Sequence, residues 1–369
     1  MKYFLIAGEA SGDLHGAWLM KALKKQDADA QFAYWGGELM ADEGGVLLKH
    51  YRELAFMGFV EVVKNLRTIS RNFRLCKQQI VDFQPDALVL VDYPGFNLRM
   101  AKWAKQRGMK VFYYISPQVW AWHTSRVHKI KKYVDHLLAI LPFEQDFYAQ
   151  YGYEVHFVGH PLIDVMNDFQ PALGWKEALG IGKPLVALLP GSRKQEIDTM
   201  LQVMLAVAAR FPDFDFVVAG APSQTNGYYE GLLAKYQAPT NVRLLSGQTY
   251  ALLHEAQAAL VTSGTATLET ALMGCPQIVC YKGNAVSYQI ARRLIQVKYI
   301  SLVNLIMDAP LVLELIQNDY TVDKVSQALT HLMQPAEQER LRQGYAALRT
   351  RLGDGGAPDR SAAIIVANT

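Results

Sequence analysis

The first half of the chain alternates short apolar runs with segments of helical period. "KYFLIAG" (2–8), "QFAYWGG" (31–37), "DALVLVDYPG" (86–95), "KVFYYISP" (110–117), "HLLAILPFE" (136–144) and "YEVHFVGHP" (153–161) read as strands. Helical stretches separate them, the first from about Asp13 to Lys25. The pattern weakens around 164–183. It restarts with "PLVALLPGSR" (184–193), "FDFVVAG" (214–220), "NVRLLSG" (241–247), "AALVTSG" (258–264) and "CPQIVCYKG" (275–283). Continuous apolar strands with helices between them predict parallel sheets covered on both faces. The expected class is α/β, with two Rossmann-like doubly wound domains facing a cleft. Residues 1–165 and 166–344 form the expected halves. The apolar tail "SAAIIVANT", in a final segment of about 345–369, must be buried on the first half or on a partner subunit. Ligands of open α/β sheets bind outside the carboxyl ends of strands, so the residues just after each strand matter most.

Composition narrows the classes. The 369 residues are 51% hydrophobic and 19% charged, enough for a normal core in each half. A net charge of +3 argues against a dedicated nucleic-acid binder. Three cysteines, Cys76, Cys275 and Cys280, make no disulfide framework and no zinc spacing, which fits a reducing cytoplasm. The opening apolar stretch, Tyr3 to Ala7, is shorter than the roughly 7–15 residues of a signal-peptide core, so a buried first strand is expected. No run reaches the roughly 18 apolar residues of a membrane span.

Two strand ends in the second half look like seats for an anion. Gly191, Ser192 and Arg193 follow a strand and precede a predicted helix, where backbone N–H groups and a guanidinium favour negative charge. The alternative is a tight turn with a surface Arg. Ser263, Gly264 and Thr265 form a second polar turn before a helix, and Glu269, one turn on, can take the hydroxyls of a ribose or serve the helix dipole. Two such seats in one domain suggest a nucleotide diphosphate. Asp27-Ala-Asp29 and Asp213-Phe-Asp215 precede strands and read as loop residues, so no metal or other cofactor is expected.

In the first half, "GEASGD" (8–13) follows the first strand. It lacks the third glycine of a dinucleotide fingerprint. Glu9, Ser11 and Asp13 can bind hydroxyls or form an acid/base set, and helix capping is the plainer role. Asp92, with Asn97 nearby, ends another strand and can deprotonate an attacking hydroxyl. Trp120 and Trp122 suit a sugar or an acyl chain, or plain packing, and Arg126 suits a phosphate. From 56 to 80 a helical period places Phe59, Leu66, Phe73, Cys76 and Ile80 beside a basic face of Lys64, Arg67, Arg71, Arg74 and Lys77. A core-packed helix with a solvated side explains that pattern. So does an interfacial helix on anionic lipid, reached through Phe56, Met57 and Phe59.

"GEASGD", "MGFVEVVKNL" (57–66), "SPQVWAWHTSRVHKIKKYVDHLLAILPFE" (116–144), "VGHPLID" (158–164), "LLPGSRKQEI" (188–197) and "TSGTATLE" (262–269) occur in one order and closely resemble the lipid-A-disaccharide synthase family. The resemblance runs from residue 1 to about 320. It implies a metal-independent, inverting GT-B glycosyltransferase of Gram-negative lipid A biosynthesis, cytoplasmic and peripheral on the inner membrane. Its substrates would be UDP-2,3-diacylglucosamine and lipid X, and its products the disaccharide 1-phosphate and UDP. A domain-swapped homodimer through the C-terminal segment is implied as well. By position, Gly191, Ser192, Arg193, Gly264, Thr265, Thr267, Glu269, Asn304 and Gln317 would bind UDP. Glu9, Asp13 and Asp92 would be the catalytic candidates. Ser11, Asn97, Trp120, Trp122, Arg126, Phe56, Met57 and Phe59 would meet the acceptor or lipid. Many relatives carry a second carboxylate where this chain has Gly95, so the expected base moves to Asp92. Two other readings share the nucleotide-sugar chemistry: a UDP-N-acetylglucosamine 2-epimerase and a non-catalytic, membrane-associated nucleotide-sugar-binding protein. An oxidoreductase of Rossmann type is the third.

Overall fold

The computed structural model describes residues 1–54, 66–122, 126–283 and 298–369. They form two compact units, Met1–Pro161 with Gly355–Thr369, and Leu162–Asp354.

Seven parallel strands build the first unit: β1 (Lys2–Ala7), β2 (Gln31–Gly36), β3 (Val46–His50), β4 (Ala87–Val91), β5 (Lys110–Tyr114), β6 (His136–Ala139) and β7 (His156–Phe157). Their order is β3-β2-β1-β4-β5-β6-β7. The central strands are apolar and buried along their length because helices cover both faces. Leu88 and Leu90 pack with Trp35, Phe96 and Met100 in one core. The helix Leu66–Phe83 joins this core through Cys76 and Ile80, while Phe73 stacks on Phe96 at 4.2 Å between ring centres. Truncating any of the large side chains buried here to Ala costs about 2–5 kcal/mol.

The second unit repeats the plan with six strands: β8 (Leu185–Leu189), β9 (Asp215–Gly220), β10 (Val242–Ser246), β11 (Ala258–Thr262), β12 (Gln277–Tyr281) and β13 (Leu313–Ile316). Their order is β10-β9-β8-β11-β12-β13. In both sheets the strand order reverses between the first and fourth strands of the unit, β1/β4 and β8/β11. Side by side in register, Ala7 pairs with Val91, and Leu189 with Val261. A crevice for ligands opens at such a reversal.

The apolar tail returns to the first unit of its own chain. Helix Ala357–Asn368 buries Ala362 and Ile365 and packs along helix Ala10–Gln26. Gln26 Nε2 donates to the Asp359 carbonyl at 2.9 Å, and Arg360 Nε to that of Val158 at 2.8 Å. Edge strands β3 and β13 are absent from the periodicity reading, since Val46 and Leu313 are exposed and neither strand is apolar throughout. The first helix begins at Ala10 rather than near Asp13, with Glu9 at its cap position. Among the described residues no helix is long and apolar enough to cross a membrane.

Candidate active site

The reversal in the first sheet brings Gly8-Glu9, after β1, beside Asp92-Tyr93, after β4. Two consecutive residues there, Asp92 (φ 45°) and Tyr93 (φ 49°), hold the left-handed backbone that side chains disfavour. Such strain costs on the order of 1–3 kcal/mol per residue and persists only where neighbours impose it. Three hydrogen bonds do so. Asn97 Nδ2 donates to the Asp92 carbonyl at 2.7 Å, Tyr113 Oη donates to the same carbonyl at 2.6 Å, and Asp92 N–H donates to Tyr114 O at 3.0 Å. Asn97 is fully buried and also reaches the Ile6 and Val91 carbonyls, so one side chain ties β1, β4 and the corner together. The Tyr93 ring lies against Gly8, where a Cβ would collide with it. This close approach accounts for the first glycine of "GEASGD".

The corner sets the acidity of Asp92. Burial pushes its carboxyl up to about 7, and the charge of Glu9 adds to the rise against the hydrogen bond from Tyr93 N–H. A carboxyl poised there exchanges protons near neutral pH.

Asp13, expected among the catalytic candidates, has another task. It is buried, and its Oδ1 accepts from Gly37 N–H (2.6 Å) and Met40 N–H (3.2 Å), while Oδ2 accepts from Leu39 N–H (3.1 Å). It caps the short helix Glu38–Asp42 from outside. Three backbone donors thus converge on the carboxylate that the sequence offered as a catalytic candidate. Asn97, expected to meet the acceptor, is likewise a buried brace. Ser11 is half-buried in the first turn of helix Ala10–Gln26.

Beyond β5, Ile115 also takes positive φ (67°), and the following Ser116 bonds Tyr148 Oη at 2.7 Å. Glu144 Oε2 accepts from Ile140 and Leu141 N–H, and burial pushes this carboxyl up to about 7. Trp120 packs edge-on against Phe143, and Arg126 sits at the start of helix Val127–Tyr133 without a side-chain hydrogen bond to its backbone. Phe56, Met57, Phe59 and the Trp122 side chain lie outside the described residues.

The reversal in the second sheet joins the two turns expected to seat an anion. Gly191, Ser192 and Arg193 lead into helix Lys194–Ala208, with Ser192 and Arg193 exposed. Glu196, in the first helical turn, reaches back so that its Oε2 accepts from Ser192 N–H at 3.2 Å. Gly191 has φ 109° and lies under that carboxylate, leaving no room for a Cβ. Next to it Ser263, Gly264 and Thr265 open helix Thr265–Leu272, Gly264 and Thr265 being exposed. Glu269 is half-buried, accepts a 2.8 Å hydrogen bond from Tyr250 Oη, and has its acidity weakened by desolvation.

Three expected nucleotide contacts are engaged elsewhere. Thr267 is buried, and its hydroxyl donates to Gly264 O at 2.8 Å, shaping the turn. Asn304 is buried and wholly engaged: Nδ2 donates to Val312 O and Glu314 Oε1, and Oδ1 accepts from Val312 N–H, each at 2.9 Å. Gln317 faces Gly283, with amide and backbone paired both ways at 3.2 Å once its amide is turned. Backbone at these points competes for the same side chains, and proximity in a motif does not reveal which partner wins.

The family model described as lipid-A-disaccharide synthetase matches residues 3–362. The chain belongs to the lipid-A-disaccharide synthase family. The lipid-A-disaccharide synthase of Geobacter sulfurreducens is 40% identical over 375 residues, covering 99% of this chain and 96% of that protein. The one from Syntrophus aciditrophicus is 40% identical over 365 residues, covering 97% and 95%. Among solved structures, the UDP-GlcNAc 2-epimerase from Neisseria meningitidis bound to UDP-GlcNAc superposes with a TM-score of 0.68 at 15% identity, covering 100% of this chain and 99% of that one. The calicheamicin glycosyltransferase gives 0.59 at 16% identity, covering 99% and 97%. At such identities these structures speak for the fold, which is GT-B.

Within this lipid-A-disaccharide synthase family member, Tyr113, Tyr250, Glu196 and Glu314 escaped the sequence reading. Each acts through a partner distant in sequence or on the other side of a turn. For Glu196 alone a signal existed, an acid three residues past the helix cap. Among the described residues, no three His, Cys, Asp or Glu side chains gather as a metal-holding group.

Proposed function

We propose that the protein transfers 2,3-diacylglucosamine from UDP to the 6-hydroxyl of 2,3-diacylglucosamine 1-phosphate, with inversion at the sugar C1. The observation that carries the mechanism is the Asp92 corner: a strained strand end, braced by Asn97 and Tyr113, where burial and the nearby Glu9 charge push the carboxyl up to about 7. Asp92 takes the proton of the acceptor hydroxyl as that oxygen attacks C1. The bond from C1 to the diphosphate breaks, and its electron pair leaves with UDP. Arg193 and the N–H groups at the starts of helices Lys194–Ala208 and Thr265–Leu272 meet the departing charge. Glu269, which accepts a hydrogen bond from Tyr250, also accepts from the ribose hydroxyls in this reading. The charge of the leaving group is thus assigned to protein donors, without a metal.

The lipid substrates call for a membrane surface. Helix Leu66–Phe83 turns exposed Arg67, Arg71 and Arg74, with exposed Leu75 and Val81, to one side at helical spacing, a pattern suited to anionic headgroups. The test is incubation with UDP-2,3-diacylglucosamine and lipid X in detergent micelles containing EDTA, followed by mass spectrometry. Disaccharide 1-phosphate formed only with both lipids present is the expected result. Conversion of UDP-N-acetylglucosamine without an acceptor would establish the epimerase reading instead. UDP binding with no turnover of either would favour the binding protein.

A further inference from the structure

We propose that Glu314 is a positioning residue of the donor site, holding the Ser263–Thr265 turn in register for the nucleotide. This rests on the reading that the turn receives the diphosphate. Glu314 lies half-buried on the edge strand β13. Four donors from one short stretch converge on its carboxylate. Oε1 accepts from Ser301 N–H (2.9 Å), Ser301 Oγ (2.7 Å) and Asn304 Nδ2 (2.9 Å), and Oε2 accepts from Ile300 N–H (3.0 Å). Ser301 in turn caps helix Leu302–Met307, its hydroxyl accepting from Asn304 N–H. The carboxylate therefore fixes the backbone from 300 to 304.

That backbone reaches the turn through one bond. Ser263 Oγ donates to the Ile300 carbonyl at 2.9 Å, and Ser263 N–H donates to Cys280 O at 3.0 Å. Ser263 is thus tied to β12 by its backbone and to the Glu314 assembly by its hydroxyl. The next two residues, Gly264 and Thr265, are exposed at the start of a helix. A loop that binds phosphate through N–H groups gains from being set in advance, because ordering it on binding weakens the complex.

The chemistry requires an acid at 314. Only a carboxylate offers two oxygens with acceptor capacity and no donor of its own. An amide would turn an NH2 group toward N–H donors. The negative charge, unfavourable near a diphosphate if left bare, is taken up by the four donors.

Glu314→Gln keeps the shape and disturbs this convergence. We expect about a tenfold rise in KM for the UDP-sugar and in the Kd of UDP, near 1.4 kcal/mol. KM for the acceptor should stay put, and kcat at saturating donor should fall less than about twofold. Ser263→Ala cuts only the link to Ile300 and should give the same donor-selective change. The double variant should be no worse than either alone, as for residues acting through one path. Equal losses toward donor and acceptor, or a lowered thermal midpoint with unchanged donor KM, would reduce Glu314 to a fold-stabilising residue and overturn the proposal. If Glu314→Gln does not fold, Ser263→Ala carries the test by the same split. Calorimetry of the unmodified protein with UDP separates the two readings. Absence of UDP binding there removes the nucleotide reading itself, and the Glu314 proposal with it. Intact binding with an unaffected donor KM in both variants removes only the latter.

Discussion

The two sheets reverse strand order at equivalent places, yet the residues set there are opposite in character. After β1 and β4 come carboxylates: Glu9, and Asp92 on strained backbone with its acidity weakened. After β8 and β11 come backbone donors, hydroxyls and Arg193, with the nearby acids Glu196, Glu269 and Glu314 bonded to protein donors. A reversal point supplies a crevice in both cases. In the proposed mechanism the side chains then divide the labour, one edge moving a proton and the other holding an anion. Two sheets of one plan thus carry two unlike sets of side chains, set by a handful of residues per edge.

The largest test of this division is Asp92→Asn. If Asp92 is the proton acceptor, kcat falls by roughly 10²–10⁴ while donor KM holds, in a coupled assay of UDP release. Stability moves the other way. The folded pKa of Asp92, about 7, lies above the unfolded value of about 4, so its stabilising contribution is full below the latter and lost as pH rises through the former. At pH 8 the variant should therefore melt at a higher temperature than the parent. A kcat within threefold of the parent would end the assignment.

On the donor edge, Arg193→Ala should raise donor KM about 10- to 100-fold, matching the roughly 1.5–3 kcal/mol of a hydrogen bond to a charged group. Arg193→Lys should keep part of the affinity, as Lys retains the charge and lacks the planar fork. A loss confined to kcat would blur the contrast between the edges, since it would give the donor side a role in the transition state alone.

The alternation of apolar runs was enough to read two parallel-sheet halves, because strands such as "ALVLV" are buried on both faces and have little else to become. It did not reveal β3 or β13, edge strands with exposed Val46 and Leu313 that need neighbours on one side only. The site was legible as strand ends and illegible as contacts. Nothing in "GEASGD" says that Asp13 accepts from the backbone of Gly37, Leu39 and Met40. Nor does "SLVNLI" say that Asn304 pairs with Val312. Side-chain direction is decided by partners brought in from other strands, and those depend on strand order.

Glu9→Gln tests the electrostatics of the first edge with a smaller effect. Like charge disfavours ionised Asp92, so removing it lowers the Asp92 pKa. The acid limb of kcat/KM, expected near pH 7 in the parent, should move to lower pH. An unmoved limb would mean that burial alone sets it.

The smallest change expected is that of Gly95→Asp, and it sharpens the contrast at the corner itself. Gly95 is exposed in the first turn of helix Pro94–Lys105, and a Cβ there meets nothing within 4 Å. A carboxylate fits and lies at the favourable end of the helix dipole. With the flexibility of glycine removed as well, the substitution should gain about 0.5–1 kcal/mol in stability. Activity should change by less than about threefold, because the proton already has an acceptor in Asp92. The informative measurement is the same substitution placed in Asp92→Asn. If the double variant stays as slow as Asp92→Asn, the braced corner at 92 is where the proton goes. If the carboxylate introduced at position 95 restores turnover, a group one helical step away can serve as well. The edge would then be defined by its crevice, with the braced position of Asp92 one of two that work.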